Sequence, residues 1–244
     1  MIAFFHATIY QPLYNGLVFL MDIIPGADAG LAVIALTILV KLVLFPLSKR
    51  SIETQFAMKR YQGELDALKK QYGKDREAHA KAMIAFYREK KINPFSGFLL
   101  LLIQLPVIIS LYYVFWKSGL PEINEVLRYA FIPSPEVNMH FLGLIDIAGK
   151  SFILAALAGI TQFFQVRFAL PPPAPGTRDG SFQGELMHGM HFQMRYIMPL
   201  FAAVAAYTIS GAVALYWTTS NLFAIGQELY VRRRLNLQSQ QPQR

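Results

Sequence analysis

The sequence predicts an all-α polytopic membrane protein: five transmembrane helices, a cytoplasmic helical hairpin and an N-terminal interfacial helix. Three observations carry this. Of 244 residues, 54% are hydrophobic and only 16% charged, with a mean hydropathy of +0.34, a balance that soluble domains do not show. The apolar residues gather in runs close to the roughly twenty that cross a bilayer. The charges gather between those runs, above all in residues 49–92.

Residues 1–26 are expected to form an extracytoplasmic interfacial helix, with a short span as the alternative, because Pro12, Asn15 and Asp22 interrupt an apolar run with Tyr10, Leu13, Tyr14, Leu17 and Leu20 at helical spacing. The opening MIAFFHATIYQ has no basic n-region and no small-residue cleavage site, so no removable signal peptide is expected. Pro25-Gly26 breaks the chain before the first span, residues 27–48. That span carries Lys41. A cation in hydrocarbon costs roughly 2.5 to 3.5 kcal/mol on insertion scales, so it must snorkel, pair or line a wet cavity. Snorkelling would have to cover about 10 Å of helix.

Residues 49–92 hold twelve Lys or Arg and six acidic residues. Apolar positions Ile52, Phe56, Tyr61, Leu65, Leu68 and Tyr72, then Ala80, Met83, Ile84 and Tyr87, predict two amphipathic helices in an antiparallel hairpin, the first ended by Gly73. Interspersed Glu53, Glu64, Asp66, Asp75, Glu77 and Glu89 make this a solvated face rather than a surface for nucleic acid. Asn93-Pro94 fits the start of the second span, residues 93–117, with Gln104 and Pro106 near mid-depth and Tyr112, Tyr113, Phe115 and Trp116 at the far interface. An extracytoplasmic loop, 118–146, with a short helix expected around Glu122 to Phe131, leads to the third span, 147–170. A Pro-rich cytoplasmic loop, 171–195, contains the Met/His cluster Met187, His188, Met190, His191 and Met194. Ser210-Gly211 divides the remaining apolar stretch into a short fourth span, 196–210, and a fifth, 211–231, before a basic cytoplasmic tail, 232–244.

Basic residues fix the orientation. The hairpin, the Pro-rich loop and the tail carry nearly all of them, against Lys117, Arg128 and Lys150 on the other side. The positive-inside rule then places the hairpin and C-terminus in the cytoplasm and the N-terminus outside.

Several polar residues lie inside the spans: Thr37 and Lys41 in the first, Gln104 in the second, Thr161, Gln162 and Gln165 in the third, and Thr218, Thr219, Ser220, Asn221 and Gln227 in the fifth. Interhelical hydrogen bonding accounts for any one of them. Their presence on four of five spans points to a shared wet cavity, and Thr37 and Lys41, four apart, share a helix face. A small polytopic transporter or channel is the alternative reading, although the halves show no internal repeat. Enzyme chemistry is not expected. The chain has no cysteine, no HExxH and no Gly-rich phosphate loop, and Ser210-Gly211 lacks the first glycine of an intramembrane protease GxSG, that position being Thr208. No cofactor or metal site is expected, and the Met/His cluster reads as an ordinary loop.

The run Thr37-Ile-Leu-Val-Lys41-Leu-Val-Leu-Phe-Pro46-Leu, the run Leu102-Ile-Gln104-Leu-Pro106 with Leu111-Tyr-Tyr113, and Ser210-Gly211 with Leu215-Tyr216-Trp217 and Ser220-Asn221-Leu222 resemble the YidC/Oxa/Alb membrane protein insertases, in order and spacing, over about residues 8 to 232. The resemblance implies a five-helix core around a hydrophilic groove open to cytoplasm and lipid. It implies an insertase and chaperone for nascent membrane proteins, working alone or with the Sec translocon, without cofactor. It assigns Lys41 to the groove cation, where the family usually has Arg, with Thr37 a turn before it, Gln104 to the groove glutamine, and Tyr216 and Trp217 to the substrate path, beside the cavity residues Thr161, Gln162 and Asn221. Arg232, Arg233 and Arg234 would be a weak ribosome contact. The expected partners are nascent chains, the ribosome, the Sec translocon and lipids, with the chain a monomer and no specific nucleic-acid sequence recognised.

Overall fold

A computed structural model describes residues 2–72, 75–93, 96–117, 120–170 and 189–239. In chain order its elements are α1 (Ile2–Phe5), a π-helical turn (His6–Tyr10), α2 (Gln11–Ile23), a 3-10 turn (Pro25–Ala27), α3 (Ala29–Val43), α4 (Phe45–Arg60), α5 (Gln62–Tyr72), α6 (Arg76–Glu89), α7 (Ser96–Lys117), β1 (His140–Phe141), β2 (Ile145–Asp146), α8 (Phe152–Ala169), a second π-helical turn (Gln193–Ile197), α9 (Met198–Ile209) and α10 (Gly211–Ser239). They fall into two compact units, Met1–Val43 with Leu105–Gly226, and Leu44–Gln104 with Gln227–Arg244.

The core of the first unit begins on α2. Tyr10, Tyr14, Leu17, Val18 and Met21, one face at helical spacing, are buried and pack with Ala29, Ala32, Val33 and Leu36 of α3. Between these helices Asp28, itself buried, caps α3: its Oδ1 accepts from the N–H groups of Gly30 and Leu31 at 2.8 and 3.0 Å. Its other oxygen accepts from Leu142 N–H at 2.7 Å in the turn of the antiparallel β1–β2 hairpin. Gly30 is required beside it, because a Cβ there would lie 2.8 Å from both Cβ and Cγ of Phe141.

The buried side chain of Asn15 holds the 122–131 segment on α2. Its amide donates to the carbonyls of Gln11 and Leu127, both at 2.8 Å, and its oxygen accepts from Tyr129 N–H at 2.7 Å. The Tyr14 hydroxyl accepts from Asn124 N–H at 2.8 Å, and Gln11 donates to Leu127 O at 3.1 Å. These bonds explain a departure from expectation. The sequence predicts a short helix around Glu122 to Phe131, whereas the segment is a series of turns. Backbone groups that a helix would pair internally find partners in α2 side chains, and Asn124 Oδ1 takes Val126 N–H at 3.1 Å in an Asx turn.

Helices α8 and α9 pack against each other with small residues inside and large ones outside. Ala155, Ala158, Ala202 and Ala206 are buried, while Phe152, Ile153, Ile160, Phe164, Leu200, Phe201 and Val204 are exposed. At Gly159 a Cβ would come within 2.8 Å of the Ala203 Cβ. α3 repeats the pattern, with Leu39, Leu42 and Val43 exposed. Such surfaces suit lipid, where close backbone approach rather than hydrophobic burial drives packing. α8, 18 residues long, is by itself long and apolar enough to cross a bilayer.

The second unit contains α4, α5 and α6. The helix expected from Ile52 to Tyr72 is broken at Tyr61 into α4 and α5, and Gly73 and Pro94 lie outside the described residues. Asp75 caps α6 by accepting from Glu77 and Ala78 N–H, each at 3.0 Å. Lys90 pairs with Glu64 at 3.3 Å and stands over the rings of Tyr61 and Phe86 at 5.1 and 5.6 Å, which fastens α6 against α5. The Glu64 carboxylate raises the Lys90 ammonium above its ordinary value.

Three further boundaries differ from the sequence reading. The first helix stops at Val43, with Leu44 between it and Pro46 in the first turn of α4. α8 starts at Phe152 rather than Ile147, since Ile147 N–H donates to Met139 O and Ser151 caps the helix. α10 continues to Ser239 and absorbs most of the tail; its Arg, Leu and Gln residues are good helix formers, and Glu228 and Arg232 pair across one turn at 2.6 Å. Of the Met/His cluster, Met187 and His188 lie outside the described residues.

Candidate functional site

Polar groups in an apolar bundle must find partners, and in the first unit those on α8 and α10 find each other. Asn221 donates to the Thr161 hydroxyl at 3.3 Å and towards the Ala158 carbonyl at 3.5 Å. One turn earlier the Trp217 indole N–H donates to Gln162 Oε1 at 3.1 Å, and the Gln162 amide donates to Gln165 Oε1 at 3.4 Å. Four predicted site residues, Thr161, Gln162, Trp217 and Asn221, therefore form one hydrogen-bonded ladder. Tyr216, beside Trp217, is 6% exposed and belongs to the core.

The start of α10 fixes the height of this ladder. Ser210 is extended, which separates α9 from α10, and the first N–H groups of α10 are taken by the preceding loop: Gly211 N–H donates to Gly149 O at 2.7 Å and Ala212 N–H to Ile147 O at 2.9 Å. A Cβ on Gly211 would lie 2.9 Å from Cα of Ile147. Only glycine permits that approach.

Thr37 and Lys41 occupy one face of α3, continuing the line of Val33 towards the end of the helix. Thr37 is buried and donates its hydroxyl back to Val33 O at 2.6 Å; Lys41 is half-buried and is the sole charged residue of α3. A hydroxyl that donates within its own helix keeps its oxygen lone pairs, and an ammonium has three donors. The ammonium of Lys41 carries donors suited to carboxylates and carbonyl oxygens, and the buried Thr37 oxygen lies on the same face. Thr218 and Thr219 bond back to Ala214 and Leu215 in the same manner, at 2.9 and 2.8 Å.

Gln104 lies half-buried on α7 and belongs to the second unit. In that unit Arg232 is engaged by Glu228, whereas Arg233 and Arg234 are exposed. Among the described residues no group of three or more His, Asp or Glu side chains is arranged to hold a metal ion. Sequence reasoning missed Asp28 and the partners of Tyr14 and Asn15. The available signal was an asparagine and tyrosines in an otherwise apolar run, residues that earn such positions only through hydrogen bonds.

A family model described as 60Kd inner membrane protein matches residues 19–239. Among curated proteins, the chain is similar to the membrane protein insertase YidC of Ectopseudomonas mendocina, with 30% identity over 92% of this chain and 34% of that protein. It is similar to the insertase of the same name from Azotobacter vinelandii, 29% identical over 95% of this chain and 37% of that protein, and to that of Neisseria meningitidis serogroup B, 32% identical over 87% and 34%. The chain spans about a third of the length of these relatives.

Proposed function

Because the chain belongs to the 60Kd inner membrane protein family, we propose that it is a membrane protein insertase, which receives hydrophobic segments of nascent membrane proteins and passes them into the bilayer of the bacterial inner membrane. The observation that carries this reading is the coexistence, in one unit, of lipid-suited helix exteriors with a polar interior: Thr37 and Lys41 on α3, and the Thr161–Asn221 and Gln162–Trp217 bonds between α8 and α10. The names of its relatives support it.

Five spans enclose a hydrophilic groove, on this reading, with the N-terminus outside and the α4–α6 hairpin and the end of α10 in the cytoplasm. Lys41, Thr37 and Trp217 face the substrate path, while Thr161, Gln162 and Asn221 hold its wall. A polar tail crossing the membrane meets donors and acceptors part-way, so it need not traverse about 30 Å of hydrocarbon unaided. The carboxylates of an acidic tail pair with Lys41. The apolar segment behind the tail then leaves sideways into lipid, where it needs no polar partner. The nascent chain arrives from a ribosome near Arg233 and Arg234, with or without the Sec translocon, and a single copy suffices. No bond is made or broken by the protein, and no cofactor is needed.

The test is complementation in a strain depleted of its own insertase, joined to reconstitution of the purified chain in proteoliposomes with a short membrane protein bearing an acidic tail. Growth and protease-protected insertion are expected. Failure of both, with the chain folded in the membrane, would overturn the reading, and solute flux through the proteoliposomes would favour a transporter or channel.

A further inference from the structure

The second unit contains a cavity of about 120 Å³ between α4 and α10, lined by Lys49, Glu53, Tyr230, Val231, Arg234 and Leu235. We propose that it binds the phosphate of an anionic phospholipid headgroup. This goes beyond the insertase reading and requires only that the chain sits in a membrane.

Both walls change character at the same level. α4 passes from Phe45-Pro46-Leu47 to Ser48-Lys49-Arg50, and α10 passes from Leu229-Tyr230-Val231 to Arg232-Arg233-Arg234. The rings of Phe45 and Tyr230 meet on the apolar side, 6.4 Å apart, and Gln227 reaches towards Phe45 O at 3.5 Å. Two helices that turn from apolar to cationic together, with an exposed tyrosine at the transition, mark the depth at which headgroup phosphates lie.

The charges leave room for an anion. Arg232 is committed to Glu228, which is buried, at 2.6 Å. Arg234 makes no ion pair among the described residues and is exposed beside the cavity. Lys49 pairs with Glu53 at 3.5 Å, with both side chains more than a third exposed, so the pair is weak and screened. A phosphate offers Lys49 more charge and offers Arg234 two oxygens for its planar fork, while Glu53 swings into water. A cavity of about 120 Å³ has room for a tetrahedral phosphate.

The experiment is native mass spectrometry of the full chain released from nanodiscs, with phosphatidylglycerol titrated against phosphatidylcholine. Retention of phosphatidylglycerol should fall about tenfold in the Lys49→Gln/Arg234→Gln double variant and stay near wild type in Lys59→Gln/Arg60→Gln, which removes the same charge from exposed positions on α4. Glu53→Gln should tighten it. Lys49→Arg/Arg234→Lys should retain it, which separates lost charge from lost fold. Equal losses in the two Gln double variants, or none in either, would overturn the proposal. So would displacement of the lipid by millimolar inorganic phosphate, which would make this a free-phosphate site. A cavity double variant that keeps phosphatidylglycerol but loses ribosome binding would assign the cations to RNA instead.

Discussion

The carboxamide of Asn221 on α10 donates to the hydroxyl of Thr161 on α8 at 3.3 Å, a side-chain bond between residues sixty positions apart. In a bilayer such a bond contributes about 0.6 to 2 kcal/mol. Asn221→Leu and Thr161→Val should each lower stability by about 1 kcal/mol, and the double variant by less than their sum. Steric-trap or denaturant unfolding in bicelles measures this; strictly additive losses would mean that the two side chains do not interact.

Lys41→Ala should slow insertion of a substrate with an acidic tail by roughly fivefold to thirtyfold, the rate equivalent of about 1 to 2 kcal/mol. Lys41→Arg should restore it, since both side chains carry a cation. Substrates with neutral tails should be little affected. Protease protection in proteoliposomes separates the cases, and equal insertion by all three proteins would dismiss the charge at Lys41 as a functional element.

Removing the Asn15 carboxamide should free the 122–131 segment. Asn15→Ala leaves the N–H of Tyr129 without its acceptor, at a cost of about 1 to 3 kcal/mol. Limited proteolysis of the detergent-solubilised protein should become faster at this segment and remain unchanged in α5 and α6.

Arg128 and Ser134 hydrogen-bond the Glu125 carboxylate and hold it below its ordinary value of 4.5. A depressed carboxylate stabilises the fold above its unfolded-state pKa and ceases to do so as pH falls through the folded value. Protection of the 122–134 loop should therefore be constant from neutrality to about pH 5 and decline below about pH 4. Glu125→Gln should be less protected at neutrality and lack the acid step, read by hydrogen exchange across that range.

Gly30 and Phe141 should show reciprocal rescue. Gly30→Ala forces a methyl into the Phe141 ring and should cost about 1 to 3 kcal/mol. Phe141→Ala in the same chain should recover part of it. Thermal unfolding in detergent reads both; no recovery would place the strain in the backbone of α3 instead.

What could be read from the sequence was whatever depends on spacing along one helix. The face of Tyr10, Leu13, Tyr14, Leu17 and Leu20 along α2 and the turn before it, the common face of Thr37 and Lys41, and the break at Ser210-Gly211 are local, and all three are present. The inventory of polar residues was also legible. Their pairing was not: Gln162 meets Trp217 across 55 positions, and no local pattern encodes which faces of two apolar helices will touch. The turns at 122–131 escaped for a related reason, because the partners that replace helical bonds come from Gln11, Tyr14 and Asn15 on α2. The continuation of α10 was hidden by composition, since a run of arginines reads as a solvated tail although each is a good helix former.

The inversion of residue size on α8 and α9 makes the two sides of each helix answer to different neighbours. Lipid tails are fluid and refill whatever contour they meet, so exchanging Leu200, Phe201 or Ile160 for other apolar residues changes little for the fold. Gly159, Ala203 and Ala206 face partners that cannot flow aside. Here a single added methyl carries more consequence than a leucine removed, the reverse of the rule for a water-soluble core, and mutational tolerance along these helices should rise with side-chain volume rather than fall.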